Sequence, residues 1–187
     1  MVYSRTGRGN QTRANHNREV LKEMLPVKRI LCPTDFSEPA LEALKAAGEL
    51  AQHFAASLLV VNIIPPIPVP TRPIAGSTVD EPDLSPAFDV TSYLMELTRS
   101  AKQVLENLVQ EHVPQGVSVG VDVSAGEPDL EIIKIARQER ADLIVIATHG
   151  QRGWRRFLFG SVAEKVVRLA ENPVLVIHGP LAGAPLT

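Results

Sequence analysis

The stretch LIVIATHGQRGWRRFLFGSVAEKVV, residues 143–167, passes from an apolar run to a helical pattern through a loop that is rich in glycine and arginine. An apolar run without alternation is typical of a strand that is covered on both faces, as in a parallel sheet. A helix after such a strand returns the chain to the start of the next parallel strand. The stretch therefore indicates an α/β fold and raises the question of what its loop holds.

The remainder of the chain repeats this alternation. The patterns predict strands at 28–33, 57–64, 117–123, 142–147 and 173–178, and helices at 38–56, 91–112, 129–140 and 161–170. Such an alternation predicts a parallel sheet with right-handed crossovers and helices on both faces. Ligands of these sheets lie beyond the carboxyl ends of the strands, where the strand order reverses. The residues after the first and fourth strands are therefore the candidate site.

Length and composition narrow the class of protein. The 187 residues, with 44% hydrophobic content, suffice for one substantial core, and the formal net charge of −2 gives no signal for binding nucleic acid or a membrane. The single cysteine, Cys32, excludes an intrachain disulfide and fits a reducing compartment. No apolar run reaches the roughly 20 residues that span a bilayer, and the amino terminus lacks the apolar region of a signal peptide. We expect a cytoplasmic protein.

The chain is expected to form one domain with two tails. Residues 1–25 are interpreted as a mobile polar and basic tail, residues 26–179 as the domain, and residues 180–187 as a second tail. Residues 65–90 are interpreted as a proline-rich insertion loop, which holds seven of the fifteen prolines. The basic tail lacks interleaved aromatic residues, so a solvated arm is favoured over nucleic-acid binding.

Two interpretations of the glycine loop stay open at this point. The loop matches neither the P-loop nor the dinucleotide pattern, and it leaves Gly150, nine residues, and then Gly160 and Ser161 before a helix. Glycines and a helix amino terminus can cradle an anion, and Arg152 adds a cation nearby. Alternatively, Ser161 is only an N-cap, because Ser161 to Glu164 has the spacing of a capping box.

The run ATHGQRGWRRFLFGSVAEKVVRLAENPVLVIH resembles the universal stress protein family, whose nucleotide-binding members carry G-x-x-G-x(9)-G-S/T ahead of a helix and a closing P-V-L-V strand. ILCPTDFSEPALEAL is similar to the opening strand and helix of the family, and AGEPDLEIIKIARQERADLIVIATHG to its third helix and fourth strand. The resemblance extends over Lys28 to His178. One departure is that Ala147 stands where the pattern has its first glycine.

The resemblance implies a flavodoxin-like three-layer sandwich with strand order 3-2-1-4-5 and a bound adenine nucleotide, which is ATP or else AMP or ADP, with or without Mg²⁺. It implies that Asp35 accepts from the adenine amino group, Ile63 lies against the base and Gly126 lies near the ribose. From the residues alone, Asp35 is more commonly a turn or cap acceptor, Ile63 is a core side chain and Gly126 is a turn glycine. The implied nucleotide site comprises Pro33, Thr34, Asp35, Ile63, Gly126, Ile146, Ala147, His149, Gly150, Arg152, Gly160, Ser161 and Val162.

The function that follows is an ATP-binding protein that regulates or protects in a stress response, with slow hydrolysis or none. The sequence offers no Ser-His-Asp set and no histidine spacing typical of a metal site. A nucleotide-free dimeric adapter that acts through protein contacts is an alternative, which Ala147 favours. An adenylating enzyme of related fold is another.

A homodimer through the last strand, residues 173–178, is also expected. In the strand order of the family this strand lies at a sheet edge, and its apolar residues lack the lysines or bulges that protect a free edge. Pairing with a second copy would satisfy the edge, and the resemblance implies the same contact. Cover by the tail after Gly179 is the alternative. A further protein partner stays open.

Overall fold

The computed structural model describes residues 27–66, 89–148 and 161–178, whose strands form a five-stranded parallel sheet with helices on both faces. The strands are β1 (Arg29–Pro33), β2 (Ser57–Ile64), β3 (Val119–Ala125), β4 (Leu143–Thr148) and β5 (Val174–His178). The helices are α1 (Glu38–Phe54), α2 (Val90–His112), α3 (Pro128–Gln138) and α4 (Ser161–Leu169). The strand order β3-β2-β1-β4-β5 confirms the expected fold class.

The sheet carries a separate hydrophobic cluster on each face. On one face, α1 and α2 cover Ile30, Cys32 and Val60. On the other face, α3 and α4 cover Leu31, Val61 and Ile144. Consecutive residues of β1 thus belong to opposite clusters, because successive side chains of a strand point to opposite faces. This two-sided burial explains why the central strands read as unbroken apolar runs.

The strand order reverses between β1 and β4, and these two strands pair over a short distance. β1 pairs with β2 along its whole length, from Arg29 to Pro33. Its pairing with β4 covers only Ile30 and Leu31. The carboxyl ends of β1 and β4 are therefore not joined by ladder hydrogen bonds, which leaves a crevice at the switch point.

The bounds of α1 follow from local chemistry. The Ser37 hydroxyl accepts from the Ala40 amide at 3.4 Å as an N-cap, and Pro39 occupies the first turn. At the other end, Ala55 adopts a left-handed conformation with φ of 52° and ends the helix. The helix therefore starts immediately after the β1 loop, and its first turn lies at the carboxyl edge of the sheet.

The predicted elements differ from the observed ones mainly at their ends. The largest shift is in the third strand, which was expected at 117–123 and is found at Val119–Ala125. Val117 instead lies in a turn, where its amide donates to the Pro114 carbonyl at 3.5 Å. The ladder then continues through Ser124 and Ala125, which pair with the end of β2.

Parts of the predicted organisation lie outside the described residues. These parts are the tail 1–25, residues 67–88 of the predicted insertion, and the tail 180–187. Asp89 and Val90, at the end of the predicted insertion, are the N-cap and first residue of α2. None of the helices described is long and apolar enough to cross a membrane.

Cys32 lies fully buried in β1, and burial raises the pKa of its thiol from the ordinary value of 9.0 to about 12. At pH 8 the thiolate fraction in the folded protein is therefore about one in ten thousand. We expect the native protein not to react with Ellman's reagent at pH 8, and the unfolded protein to release one equivalent per chain.

The same shift predicts a pH dependence of stability. The folded state holds the thiol neutral, so its contribution is present below pH 9 and is lost as the pH rises from 9 towards 12, where only the unfolded thiol ionises. Cys32→Ala removes this contribution while other groups still titrate. A wild-type curve of unfolding free energy that runs parallel to the Cys32→Ala curve between pH 8 and 10 would contradict the burial argument.

Candidate functional site

A cavity of about 270 Å³ lies at the carboxyl ends of β1, β2 and β4, beside the crevice at the switch point. Its volume is slightly below the range of about 300–1,000 Å³ that is typical of small-molecule sites. The predicted site residues that line it are Pro33, Thr34, Asp35, Ile63, Ile146, Ala147, Ser161 and Val162. The structure therefore brings together residues from the ends of three strands and from the start of α4.

Two buried hydrogen bonds fix the end of β1. The Thr34 amide donates to the Val61 carbonyl at 2.9 Å, and the Asn62 side-chain amide donates to the Thr34 carbonyl at 2.8 Å. Both Thr34 and Asn62 are buried, so these bonds satisfy polar groups that would otherwise be costly to bury. They hold the floor of the cavity in one conformation. Asn62 lies within the apolar run of β2, and no sequence pattern marks it as a site residue.

The turn after Thr34 places Asp35 at the rim of the cavity. Asp35 Oδ1 accepts from the Ser37 amide at 3.0 Å, and Thr34 Oγ1 accepts from the Phe36 amide at 3.1 Å. Phe36 has φ of 65°, a left-handed conformation that costs a bulky residue roughly 1–3 kcal/mol. Asp35 thus acts as the turn acceptor that the sequence allowed, and it also lines the cavity.

The start of α4 forms another wall. Ser161 is the first residue of α4 in the described part of the chain, and it lines the cavity together with Val162. The first amides of a helix lack partners within the helix, which makes this wall a source of hydrogen-bond donors for an anion. The predicted residues His149, Gly150, Arg152 and Gly160 lie outside the described residues.

Ala147, which replaces the first glycine of the family pattern, is half-buried near the carboxyl end of β4. It packs with Ile177 against the cluster on the α1 side of the sheet, and it also lines the cavity. Ile146, the residue before it, belongs to the cluster on the α3 side. The two residues therefore form a wall of the cavity while they contribute to opposite cores.

Gly126 lies beside the cavity rather than in its lining. Its amide donates to the Ile64 carbonyl at 3.0 Å, and its φ of 148° is one that side-chain-bearing residues rarely adopt. Close by, Glu131 accepts from the Ser124 hydroxyl at 3.0 Å and from Lys134 at 3.0 Å. The hydrogen bond from Lys134, followed by that from Ser124, lowers the pKa of Glu131.

Five further lining residues were not predicted: Ala40, Pro65, Pro128, Ile132 and Ala163. Three of them, Ala40, Pro128 and Ala163, lie in the first turns of helices that follow β1, β3 and β4, and Ile132 comes directly after the first turn of α3. Those turns necessarily bound a crevice at the carboxyl edge of a parallel sheet, so topology alone could have identified them. Pro65 directly follows β2.

The chemical character of the cavity is an apolar slot with a polar rim. Ile63, Ile132 and Ile146 contribute apolar walls, whereas Asp35 and Ser161 contribute polar groups. Such a site suits a flat apolar group that carries polar substituents. Within residues 27–66, 89–148 and 161–178, no three His, Cys, Asp or Glu side chains are grouped so that they could hold a metal ion.

The chain is similar in sequence and in structure to known proteins. Residues 26–178 match the Universal stress protein family. Universal stress protein MJ0531 of Methanocaldococcus jannaschii is 33% identical over 153 residues, which cover 82% of this chain and 83% of that protein. The structure of universal stress protein UspA from Lactobacillus plantarum matches with a TM-score of 0.61 and 28% identity, covering 81% of this chain and 97% of that one.

A universal stress protein from Archaeoglobus fulgidus, solved in complex with dAMP, shares the fold. It matches with a TM-score of 0.52 and 21% identity, over 81% of this chain and 97% of that one.

The glycine beside the cavity gives a test of this local geometry. A Cβ on Gly126 would meet Glu131 Cγ at 2.8 Å and would require a strained backbone, so Gly126→Ala should lower the free energy of unfolding by about 1–3 kcal/mol. Gly120→Ala is the matched control in β3, because its Cβ would meet only Leu59 Cδ1 at 3.4 Å. Urea unfolding that finds equal stability for the two variants would contradict this description.

Proposed function

The chain belongs to the universal stress protein family, and on that premise we propose that it binds an adenine nucleotide, with ATP as the preferred ligand, in the cavity at the switch point. The observation that carries the proposal is the combination of an apolar slot with a helix amino terminus as one wall. The slot suits a base, and the helix terminus suits phosphate.

The proposed pose follows the chemistry of the walls. The adenine lies between the apolar side chains of Ile63 and Ile146, and its amino group donates to Asp35 at the rim. The phosphates extend towards the first amides of α4, where Ser161 offers a hydroxyl. The predicted phosphate contacts of Gly150, Arg152 and Gly160, and a contact with His149, remain part of this proposal.

The proposed role is regulation or protection in a stress response, in the cytoplasm, with slow hydrolysis of ATP or none. Efficient phosphoryl transfer needs a bound metal ion and a group that orients water. If Mg²⁺ accompanies the nucleotide, the phosphates and water molecules would together supply most of its ligands, because this ion usually keeps several waters. The dAMP in the Archaeoglobus fulgidus protein belongs to that protein. For this chain, the ligand class is supported by the cavity.

A nucleotide-free adapter is the second candidate, and Ala147 is the observation that favours it. The methyl group of Ala147 adds bulk to a wall of the cavity where the family pattern has a glycine. An adapter would act through protein contacts, and the protein would bind neither ATP nor adenosine.

Calorimetry tests the proposal through Asp35. Wild-type protein should bind ATP more tightly than GTP, and Asp35→Asn should reduce that preference by roughly ten-fold, the equivalent of one charge-assisted hydrogen bond of about 1.4 kcal/mol. The reason is that Asn keeps an oxygen for the Ser37 amide but presents an NH₂ donor where the base requires an acceptor.

The outcomes separate the candidates. An unchanged preference in Asp35→Asn would restrict Asp35 to its role in the turn, since Asn serves that role equally well. Wild-type protein that binds no nucleotide at millimolar concentration would favour the adapter. Mass spectrometry of small molecules released on denaturation would detect a nucleotide that co-purifies.

We also propose a homodimer through β5. In the part of the chain that is described, β5 has β4 as its strand neighbour on one side and no strand on the other. The Ile144 amide donates to the Pro173 carbonyl at 2.9 Å, so the backbone groups of Leu175 and Ile177 point towards β4. Those of Val174 and Val176 then point outwards, where a second copy of β5 can pair with them about a two-fold axis.

The outward direction of the Val176 amide allows a matched pair of variants. Val176→Pro removes this edge donor and should shift the protein towards monomer at micromolar concentration, whereas Val176→Ala keeps the donor and should stay dimeric. Light scattering and the unfolding midpoint of both variants provide the measurement. A monomeric wild type, or a fully dimeric proline variant, would show that β5 is not the interface.

A further inference from the structure

A buried carboxylate lies next to the cavity and has no part in the pose above. The buried polar residues of the described ranges are Thr34, Asn62, Asp129 and Thr148, and of these only Asp129 carries a charge. Asp129 is in the first turn of α3 and is 6% exposed. Burial of a carboxylate is costly unless a cation or hydrogen-bond donors compensate it.

The compensating cation comes from a different helix. Lys165 Nζ in α4 lies 3.2 Å from Asp129 Oδ1, and the side chains of the pair are 57% and 8% exposed, respectively. Long side chains in helices lean towards the amino terminus, so the ammonium group lies over the first turn of α4. The ion pair thus joins the first turn of α3 to the first turn of α4.

Both helices contribute residues to the lining of the cavity. Pro128, directly before Asp129, and Ile132, three residues after it, line the cavity from α3, while Ser161 and Val162 precede Lys165 and line it from α4. Apolar contacts between the helices, such as those around Ala163 and Ile132, are not directional and do not fix an angle by themselves. A charged hydrogen bond does impose a distance and a direction.

A second ion pair links α3 to the end of α4, far from the cavity, and both of its side chains are exposed. Arg137 in α3 and Glu171, just after α4, lie 2.8 Å apart, with side chains 55% and 77% exposed. Exposed pairs of this kind contribute little, because water and salt screen them. The two pairs therefore tie the same helices at opposite ends, and only the one at the cavity has a buried carboxylate.

We propose that Asp129 and Lys165 are positioning residues, which set the spacing between the first turns of α3 and α4 and thereby the fit of the phosphate-bearing end of the ligand. The proposal rests on the proposed binding of a nucleotide. The base end of the cavity is fixed separately by the bonds of Thr34 and Asn62. Loss of the ion pair should therefore weaken the binding of ATP and spare the binding of adenosine.

The experiment measures dissociation constants for ATP and for adenosine by calorimetry on the full chain. In Asp129→Asn and in Lys165→Met, the affinity for ATP should fall roughly ten-fold, and the affinity for adenosine should change less than about two-fold. The double variant should lose no more than the single ones, because both remove the same contact. Lys165→Arg should retain binding, and Glu171→Gln, which breaks the exposed pair, should leave both affinities unchanged.

Hydrogen exchange of the α4 amides, with α1 as the internal reference, provides a readout without ligand. Exchange in α4 should become faster in Asp129→Asn than in wild type, and Glu171→Gln should show no such change. If wild-type protein binds neither ligand, the proposed function fails, and selectively faster exchange in α4 still supports the positioning role. Unchanged exchange overturns the positioning role in either case.

Two binding results would also overturn the positioning role of Asp129 and Lys165. Tighter ATP binding by Asp129→Asn would mean that Lys165 contacts phosphate directly and that Asp129 only competes for it. Parallel losses for ATP and adenosine would mean that the pair supports the fold as a whole.

Discussion

The incomplete pairing between β1 and β4 is the constraint on which the rest of the structure depends. A parallel sheet that winds in both directions from β1 must place its crossover helices on opposite faces, because each crossover is right-handed. The helices therefore leave the carboxyl edge of the sheet uncovered between β1 and β4, where the strand order reverses. The ladder between β1 and β4 ends at Leu31, and the cavity begins where that ladder stops.

Directional polar contacts then give the crevice a defined shape. Asn62 and Thr34 fix the end of β1, and Asp35 closes the turn that follows. Asp129 and Lys165 connect α3 with α4, and both of these helices line the cavity. Apolar burial supplies most of the favourable free energy of folding, but it is non-directional, so the walls rely on these hydrogen bonds for their geometry.

Much of this architecture follows from the sequence, and the reason is visible in β2. Its bounds were predicted as residues 57–64 and are found at Ser57–Ile64, because a strand buried on both faces produces an unbroken apolar run. β3 is an edge strand with one exposed face, so its ends depend on the turn around Val117 and on its register with β2. Periodicity alone does not contain that information.

The site likewise contains residues that the sequence could predict and contacts that it could not. Residues that directly follow strands, such as Thr34 and Asp35, could be assigned to the crevice from topology, and they line it. Contacts between distant parts of the chain could not be assigned, since Asp129 and Lys165 are 36 residues apart in the sequence. The assignment of a nucleotide to these residues came from the family resemblance, and it stands as a proposal.

The short ladder between β1 and β4, which is called the seam below, also affects how the chain folds. β1, α1 and β2 form one local unit, and β4, α4 and β5 form another. The contacts that join the two units are between residues far apart in the sequence. For example, the Arg29 amide donates to the Asp142 carboxylate, which is 113 residues away. Closing so long a loop costs conformational entropy before any contact compensates for it, so the seam should form late and open early. A ligand that bridges the seam would therefore slow the separation of the two halves, which makes occupancy of the cavity a determinant of the lifetime of the native state.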